Sequence, residues 1–121
     1  MKFLNIFKRP TRKQPEDDFI VTITDASVKV EYPAWPTEEI PWNDIQTIKL
    51  INTDAGPVLP DIWLVLASDK GKCIIPHGSK GFDEVYERVS KYEGFDFENF
   101  GKSMTCADNA EFILWLKTTN A

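Results

Sequence analysis

The amino-acid sequence predicts an α+β domain: an antiparallel sheet of five to six strands with two short helices packed on one face. Three observations predict it. Apolar runs at Ile45–Ile51, Ile62–Ala67 and Cys73–Ile75 are each closed by turn residues, at Asn52–Pro57, Ser68–Gly71 and Pro76–Gly78, which is the punctuation of an antiparallel meander. Upstream, Phe19–Thr24 and Val28–Tyr32 alternate on either side of Asp25-Ala26-Ser27, the pattern of a hairpin. Downstream the period changes, because Phe82, Val85, Tyr86 and Val89 stand at i, i+3, i+4 and i+7, one face of an amphipathic helix.

The elements follow in order. The first hairpin is rich in β-branched residues, whose stiff side chains suit a pleated surface. Pro33, Pro36 and Pro41 surround Trp35. Each proline lacks an N–H and biases its predecessor towards extended backbone, so an extended loop is expected there. In Trp42–Ile51, the spacing of Ile45, Ile48 and Leu50 suits either period, with a short turn at Asn43-Asp44 before the strand. Ile62–Ala67 and Lys72–Ile75 form the next hairpin across Ser68-Asp-Lys-Gly71. A helix near 82–92 carries Asp83 and Glu84 in its first turn and Lys91 in its last, each complementing the helix dipole, with Gly94 as the stop. A second helix near 96–104 has Asp96 as its cap and Phe97, Phe100, Gly101 and Met104 at helical spacing. Ala110–Lys117 suits strand or helix; the alternation of Phe112, Leu114 and Leu116 with Ile113, Trp115 and Lys117 favours a strand returning to the sheet. The core is expected to draw on Ile20, Ile23, Val30, Ile45, Ile48, Leu64, Leu66, Ile74, Val85, Val89, Phe97, Phe100 and Phe112.

A length of 121 residues bounds one domain, large enough to bury about two-thirds of its unfolded surface without staples. Residues 1–17 separate as a basic arm, with Lys2, Lys8, Arg9, Arg12 and Lys13, ahead of a single domain at 18–121. The arm, with Pro10 and Pro15, reads either as a solvated, frayed terminus or, through Phe3, Leu4, Ile6 and Phe7, as an apolar patch able to dock on the body, on a partner or on an anionic membrane surface. The whole chain carries a net charge of −5. From Glu16 onward nine Lys/Arg face all 19 Asp/Glu, a charge of −10. Phosphate contacts dominate nucleic-acid affinity, so an acidic body points away from nucleic acid and towards a neutral or basic partner, or simply towards solubility. The N-terminal apolar stretch is too short for a signal-peptide core or a bilayer span, so no stable membrane association is expected. Cys73 and Cys106 have neither disulfide-scaffold nor metal-ligand spacing, and a reducing cytoplasm is the expected location.

No catalytic constellation stands out. His77 is the single histidine, and histidine catalysis needs a nucleophile or an orienting carboxylate. Ser79 and Asp83 are near in sequence, but Ser79 is expected to lead into the helix at Phe82. CxxC, HExxH, EF-hand and Gly-rich phosphate motifs are missing, so no cofactor and no metal is expected, and no enzymatic activity. Asp44, Asp54 and Asp61 lie close enough in sequence to bind a cation, yet Asp54 before Ala-Gly-Pro is ordinary turn chemistry. Lys80, ahead of a helix, is a weak anion signal. The tryptophans carry more. Trp63 sits in a strand whose neighbours on both faces are apolar and reads as structural. Trp35, between Ala34 and Pro36, reads either as an exposed anchor, since tryptophan buries a large area with few rotors, or as a cover over the open end of the sheet. Trp35, Trp42, Asp54 and Asp61 are the candidate partner-binding residues.

The order Trp42/Asp44/Ile45, Asn52–Pro57, Asp61–Leu66, Ile74–Pro76, Gly81–Asp83, Gly94–Asp96 and Phe112–Trp115 resembles a family of small uncharacterised bacterial proteins, across about residues 18–117. The resemblance brings no activity with it. Its style is that of immunity proteins encoded beside secreted toxins. The functional expectation is a non-enzymatic protein-binding module, immunity-like, that neutralises a basic toxin partner. The alternative is a small-molecule-binding or regulatory domain with a pocket at the 52–61 loop.

Overall fold

The computed structural model describes residues 19–33, 35–53, 62–106 and 108–117. Along them run β1 (Ile20–Ile23), β2 (Ser27–Glu31), β3 (Glu38–Pro41), a 3-10 turn (Trp42–Asp44), β4 (Thr47–Asn52), β5 (Ile62–Ala67), β6 (Lys72–Pro76), α1 (Phe82–Val89), α2 (Phe97–Thr105) and β7 (Ala110–Leu116). The class is α+β, but the strands form two antiparallel sheets rather than one, in the orders β1-β2-β3 and β6-β5-β4-β7.

The difference begins at β3, inside the segment expected to be loop. Prolines discourage a strand only where the ladder needs an N–H. The Thr24 N–H donates to the Ser27 carbonyl and closes the first hairpin. Hydrogen-bonded and non-bonded pairs then alternate along β2, so Ser27 owes β3 no hydrogen bond, and Ser27 is where Pro41 pairs. Glu38–Pro41 therefore completes a three-stranded sheet despite its proline. The two sheets meet where β3 runs beside β6. A side chain bridges them: the Glu38 carboxylate accepts the Ile74 N–H at 2.9 Å, and the Cys73 thiol approaches the Val28 carbonyl at 3.6 Å.

The core lies between the sheets and α1. Val28, Val30 and Ile40 come from the first sheet. Ile48, Leu50, Leu64, Leu66, Ile75 and Leu114 come from the second, and Phe82, Val85 and Val89 from α1. Gly81 precedes α1 with φ 102°, and a Cβ there would sit 2.9 Å from the Val21 Cβ. The helix can reach β1 this closely only because that residue has no side chain. Asp96 caps α2 as its position predicts, its carboxylate accepting the Asn99 N–H at 2.8 Å. The same turn ties α2 to β7, with Asp96 N–H on the Leu114 carbonyl at 2.7 Å and Asn99 Nδ2 on the Ile113 carbonyl at 2.8 Å.

Residues 110–116 form a strand, but not with simple alternation. Lys49 pairs with Ile113 and Ile48 with Trp115, so Leu114 is an extra residue, a β-bulge. A bulge reverses which face each later side chain meets. Trp115 therefore turns inward, its indole N–H on the Glu93 carbonyl at 2.9 Å, while Leu116 is exposed. Four expected core residues are corrected. Ile74 is half-buried on the outer face of β6, where it pairs with Val65, and Phe112 is half-buried outside the core cluster. Ile20 is exposed because Val21 and Ile23 take the inner face of β1, and Phe97 is exposed because its neighbour Phe95 holds the buried place, ring against ring at 4.9 Å.

Candidate functional site

The outer face of the second sheet carries an apolar patch beside Lys49. On its inner face Ile48, Leu50, Leu64 and Leu66 serve the core. The register sets Lys49 beside Val65 and Val65 beside Ile74, with Ile51 beside Trp63 one step along. These residues point away from the core. Strands apolar on both phases are expected in sheets covered on both faces, and this sheet has no helix on its outer side among the described residues. Trp35 lies across it from the connection between β2 and β3. Together Trp35, Ile51, Trp63, Val65 and Ile74 line a recess of about 240 Å³ with entirely apolar walls.

Local geometry fixes Trp35 at the rim. Its N–H donates to the Tyr32 carbonyl at 3.1 Å. Its ring stands edge-on to Tyr32 at 5.3 Å and to Phe19 at 6.4 Å. Phe19 stacks on Tyr32 at 4.1 Å and meets Trp63 edge-on at 5.9 Å, so one aromatic cluster spans both sheets. Trp63 is half-buried, whereas Trp35 keeps 55% of its surface exposed. Beside the recess, Lys49 Nζ lies 3.3 Å from Glu111 Oε1, an exposed pair that contributes little.

Trp42 does not join Trp35 on one surface. Its ring is 7% exposed, its indole N–H donates to the Thr24 carbonyl at 2.8 Å, and the Arg88 guanidinium lies 4.3 Å from the ring centroid. The 3-10 turn after β3 folds it beneath α1, where it is core. Asp54 and Asp61 lie outside the described residues, as does the basic arm. The described strand residues on either side of them, Asn52 and Ile62, pair directly beside Ile51 and Trp63, at the end of the sheet that carries the recess.

The remaining sequence candidates do not converge. His77 is exposed and packs edge-on against Phe82 at 4.9 Å. Ser79 is buried, its hydroxyl donating to the Pro76 carbonyl at 2.8 Å, so it is not poised as a nucleophile. Among the described residues no group of three or more His, Cys, Asp or Glu can hold a metal ion, and no helix is long and apolar enough to cross a membrane. Burial, reinforced by the charges of Glu38 and Glu39, pushes the Cys73 thiol up to about 12, which makes it inert at neutral pH. A larger open cleft of about 750 Å³ includes Trp42, Tyr92, Trp115 and Lys117. Its best donors are engaged within the fold: both indole N–H groups as described, and Lys117 Nζ on the Asn43 carbonyl at 3.3 Å.

Sequence reasoning missed Ile51, Val65 and Ile74 as parts of the site. The signal was present, since β5 was apolar on both phases. That pattern alone does not tell an inner from an outer side, and on the outer side Val65 is itself buried while Ile51, Trp63 and Ile74 are half-buried. Comparison with protein-family models, with curated proteins and with solved structures found no match.

Proposed function

We propose that the chain is a non-enzymatic protein-binding module whose docking surface centres on Trp35 and Trp63. One observation carries the reading: a recess walled only by apolar side chains, with a tryptophan more than half exposed at its rim. Exposed apolar patches of this kind mark interaction surfaces. Size separates the two kinds of occupant. Small-molecule pockets occupy about 300–1,000 Å³, and a recess of about 240 Å³ suits one inserted side chain better than a whole ligand. The net charge of −5 favours a basic protein that presents that side chain. Neutralisation of a basic toxin, as by an immunity protein in the cytoplasm, is the form this reading takes if the family resemblance holds.

The test is kinetic. With a purified basic partner, association should slow steeply as salt rises, because screening shortens to about 8 Å at physiological strength. Trp35→Ala should speed dissociation by about 30-fold, the rate equivalent of about 2 kcal/mol at a hot spot. An off-rate unchanged by Trp35→Ala would remove the recess from the interface. Turnover of an ester, phosphoester or peptide substrate that is lost in His77→Ala would overturn the non-enzymatic half.

A further inference from the structure

The two sheets present four outer edges, and among the described residues three of them are covered. The carbonyls of Ile113 and Leu114 on β7 are taken by Asn99 and by the Asp96 N–H. The edges of β3 and β6 face each other, with Glu38 on the Ile74 N–H. Covered or interrupted edges are how proteins prevent strand addition. Among the described residues β1 has no such cover. The hydrogen bond from Thr24 to Ser27 sets the alternation, which turns the N–H and C=O of Ile20 and Thr22 towards β2. Those of Val21 and Ile23 point outward, and no hydrogen bond among the described residues reaches them. Along this edge lies a groove of about 440 Å³ bounded by Ile20, Val21, Ile23, Lys80, Gly81 and Glu84.

We propose that β1 is a self-association edge, on which β1 of a second copy of this chain pairs antiparallel about a twofold axis at Thr22. The strand is self-complementary in that register. Val21 falls opposite Ile23 of the second copy, and Ile23 opposite its Val21, so the outward groups satisfy one another in four hydrogen bonds. The result is a continuous six-stranded sheet, the isologous geometry of a twofold dimer. Residues Ile20–Ile23 read IVTI and carry no charge, so the pairing brings no like charges together. Lys80 and Glu84 put both signs in each groove. Ile20, 59% exposed, gains a cross-strand neighbour that the single chain does not provide.

Sedimentation equilibrium on the full chain over a wide concentration range tests this. The average mass should rise from that of one chain towards that of two. Thr22 is exposed on the outer face of β1, so Thr22→Lys leaves the core untouched. It sets two ammonium groups directly opposite across the axis, which destabilises a strand pair, and the association midpoint should move at least tenfold higher in concentration. Thr22→Glu should do the same, and mixing the two variants should restore association as a heterodimer. Circular dichroism and the denaturation midpoint should not change in either. Trp35→Ala should associate like the parent, which separates this edge from the partner-binding recess. A single-chain mass at every concentration would overturn the proposal. So would a dimer that ignores Thr22→Lys or is lost in Trp35→Ala.

Discussion

Asn52 is the residue whose removal the structure predicts most sharply. It ends β4 with only 4% of its surface exposed. Its Nδ2 donates to the Ser103 carbonyl at 2.8 Å and to the Cys106 carbonyl at 3.2 Å, and its Oδ1 accepts the Ser103 hydroxyl at 2.5 Å. One amide thus fastens the end of α2 to the sheet. In Asn52→Ala the Ser103 carbonyl keeps the Cys106 N–H at 3.2 Å. The buried Ser103 hydroxyl and the Cys106 carbonyl each lose the bond described here. An unsatisfied buried group costs about 1–3 kcal/mol, so the variant should lose about 3 kcal/mol. Ser103→Ala removes one bond and orphans Oδ1, for about 1.5 kcal/mol by the same measure. The double variant contains neither the Ser103 hydroxyl nor Oδ1, so only the Cys106 carbonyl is left without its bond. It should cost about 1.5 kcal/mol rather than the sum of about 4.5 kcal/mol, a coupling of about 3 kcal/mol. Urea unfolding followed by tryptophan fluorescence reads all four corners of the cycle, with the slope unchanged if the native state stays compact. Additive losses, or a single loss under about 1 kcal/mol for Asn52→Ala, would refute the reasoning.

Other outcomes follow from the same geometry. Gly81→Ala combines a left-handed φ with a 2.9 Å approach to Val21, whereas at Gly94, φ 88°, nothing lies within 4 Å; chemical denaturation should show a loss of about 1 kcal/mol at Gly94 from backbone strain and clearly more at Gly81. A thiol reagent at pH 8 should modify Cys106 in the native chain and spare Cys73, which is buried, with two equivalents reacting only in denaturant; two rapid native equivalents would contradict the packing. The folded state holds the Cys73 proton more tightly than the unfolded state, where the thiol titrates near 9.0. The stability this provides is complete below pH 9 and is lost as pH rises towards about 12, so Cys73→Val should flatten the alkaline limb of a stability–pH curve. Trp63→Ala should cost about 2–3 kcal/mol, somewhat below the figure for a fully buried ring, and Trp35→Ala under about 1 kcal/mol; equal large losses would contradict their different burial.

Much of the secondary structure was legible because local physics decides it. The i, i+3, i+4 spacing from Phe82, the Asp96 cap and the Ser68–Gly71 turn each rest on neighbours in sequence. In that turn the Ser68 hydroxyl accepts both the Lys70 and Gly71 N–H groups. The division into two sheets was not legible, because it depends on which strand meets which across the chain. Whether Pro41 breaks a strand depends on the phase of its pairing with Ser27, which the sequence does not display. The site was half legible for the same reason. Trp35 declares itself through its flanking prolines, and Trp42 looks alike in sequence but is drawn inward by Thr24 and Arg88, partners 18 and 46 positions away. Asn52 reads as a turn residue until Ser103 is placed beside it.

The bulge at Leu114 gives β7 two reading frames. Residues up to Ile113 are in phase with β4 in one frame, and residues from Trp115 in the other. Deleting one residue from a surface loop is ordinarily absorbed by the loop. Deleting Leu114 would merge the frames without turning the later residues over, since Trp115 would still face Ile48 and Leu116 would still face Thr47, but the core would lose a side chain that is fully buried. The bulge thus lets one strand present two successive side chains, Leu114 and Trp115, to the same core, which regular pairing forbids.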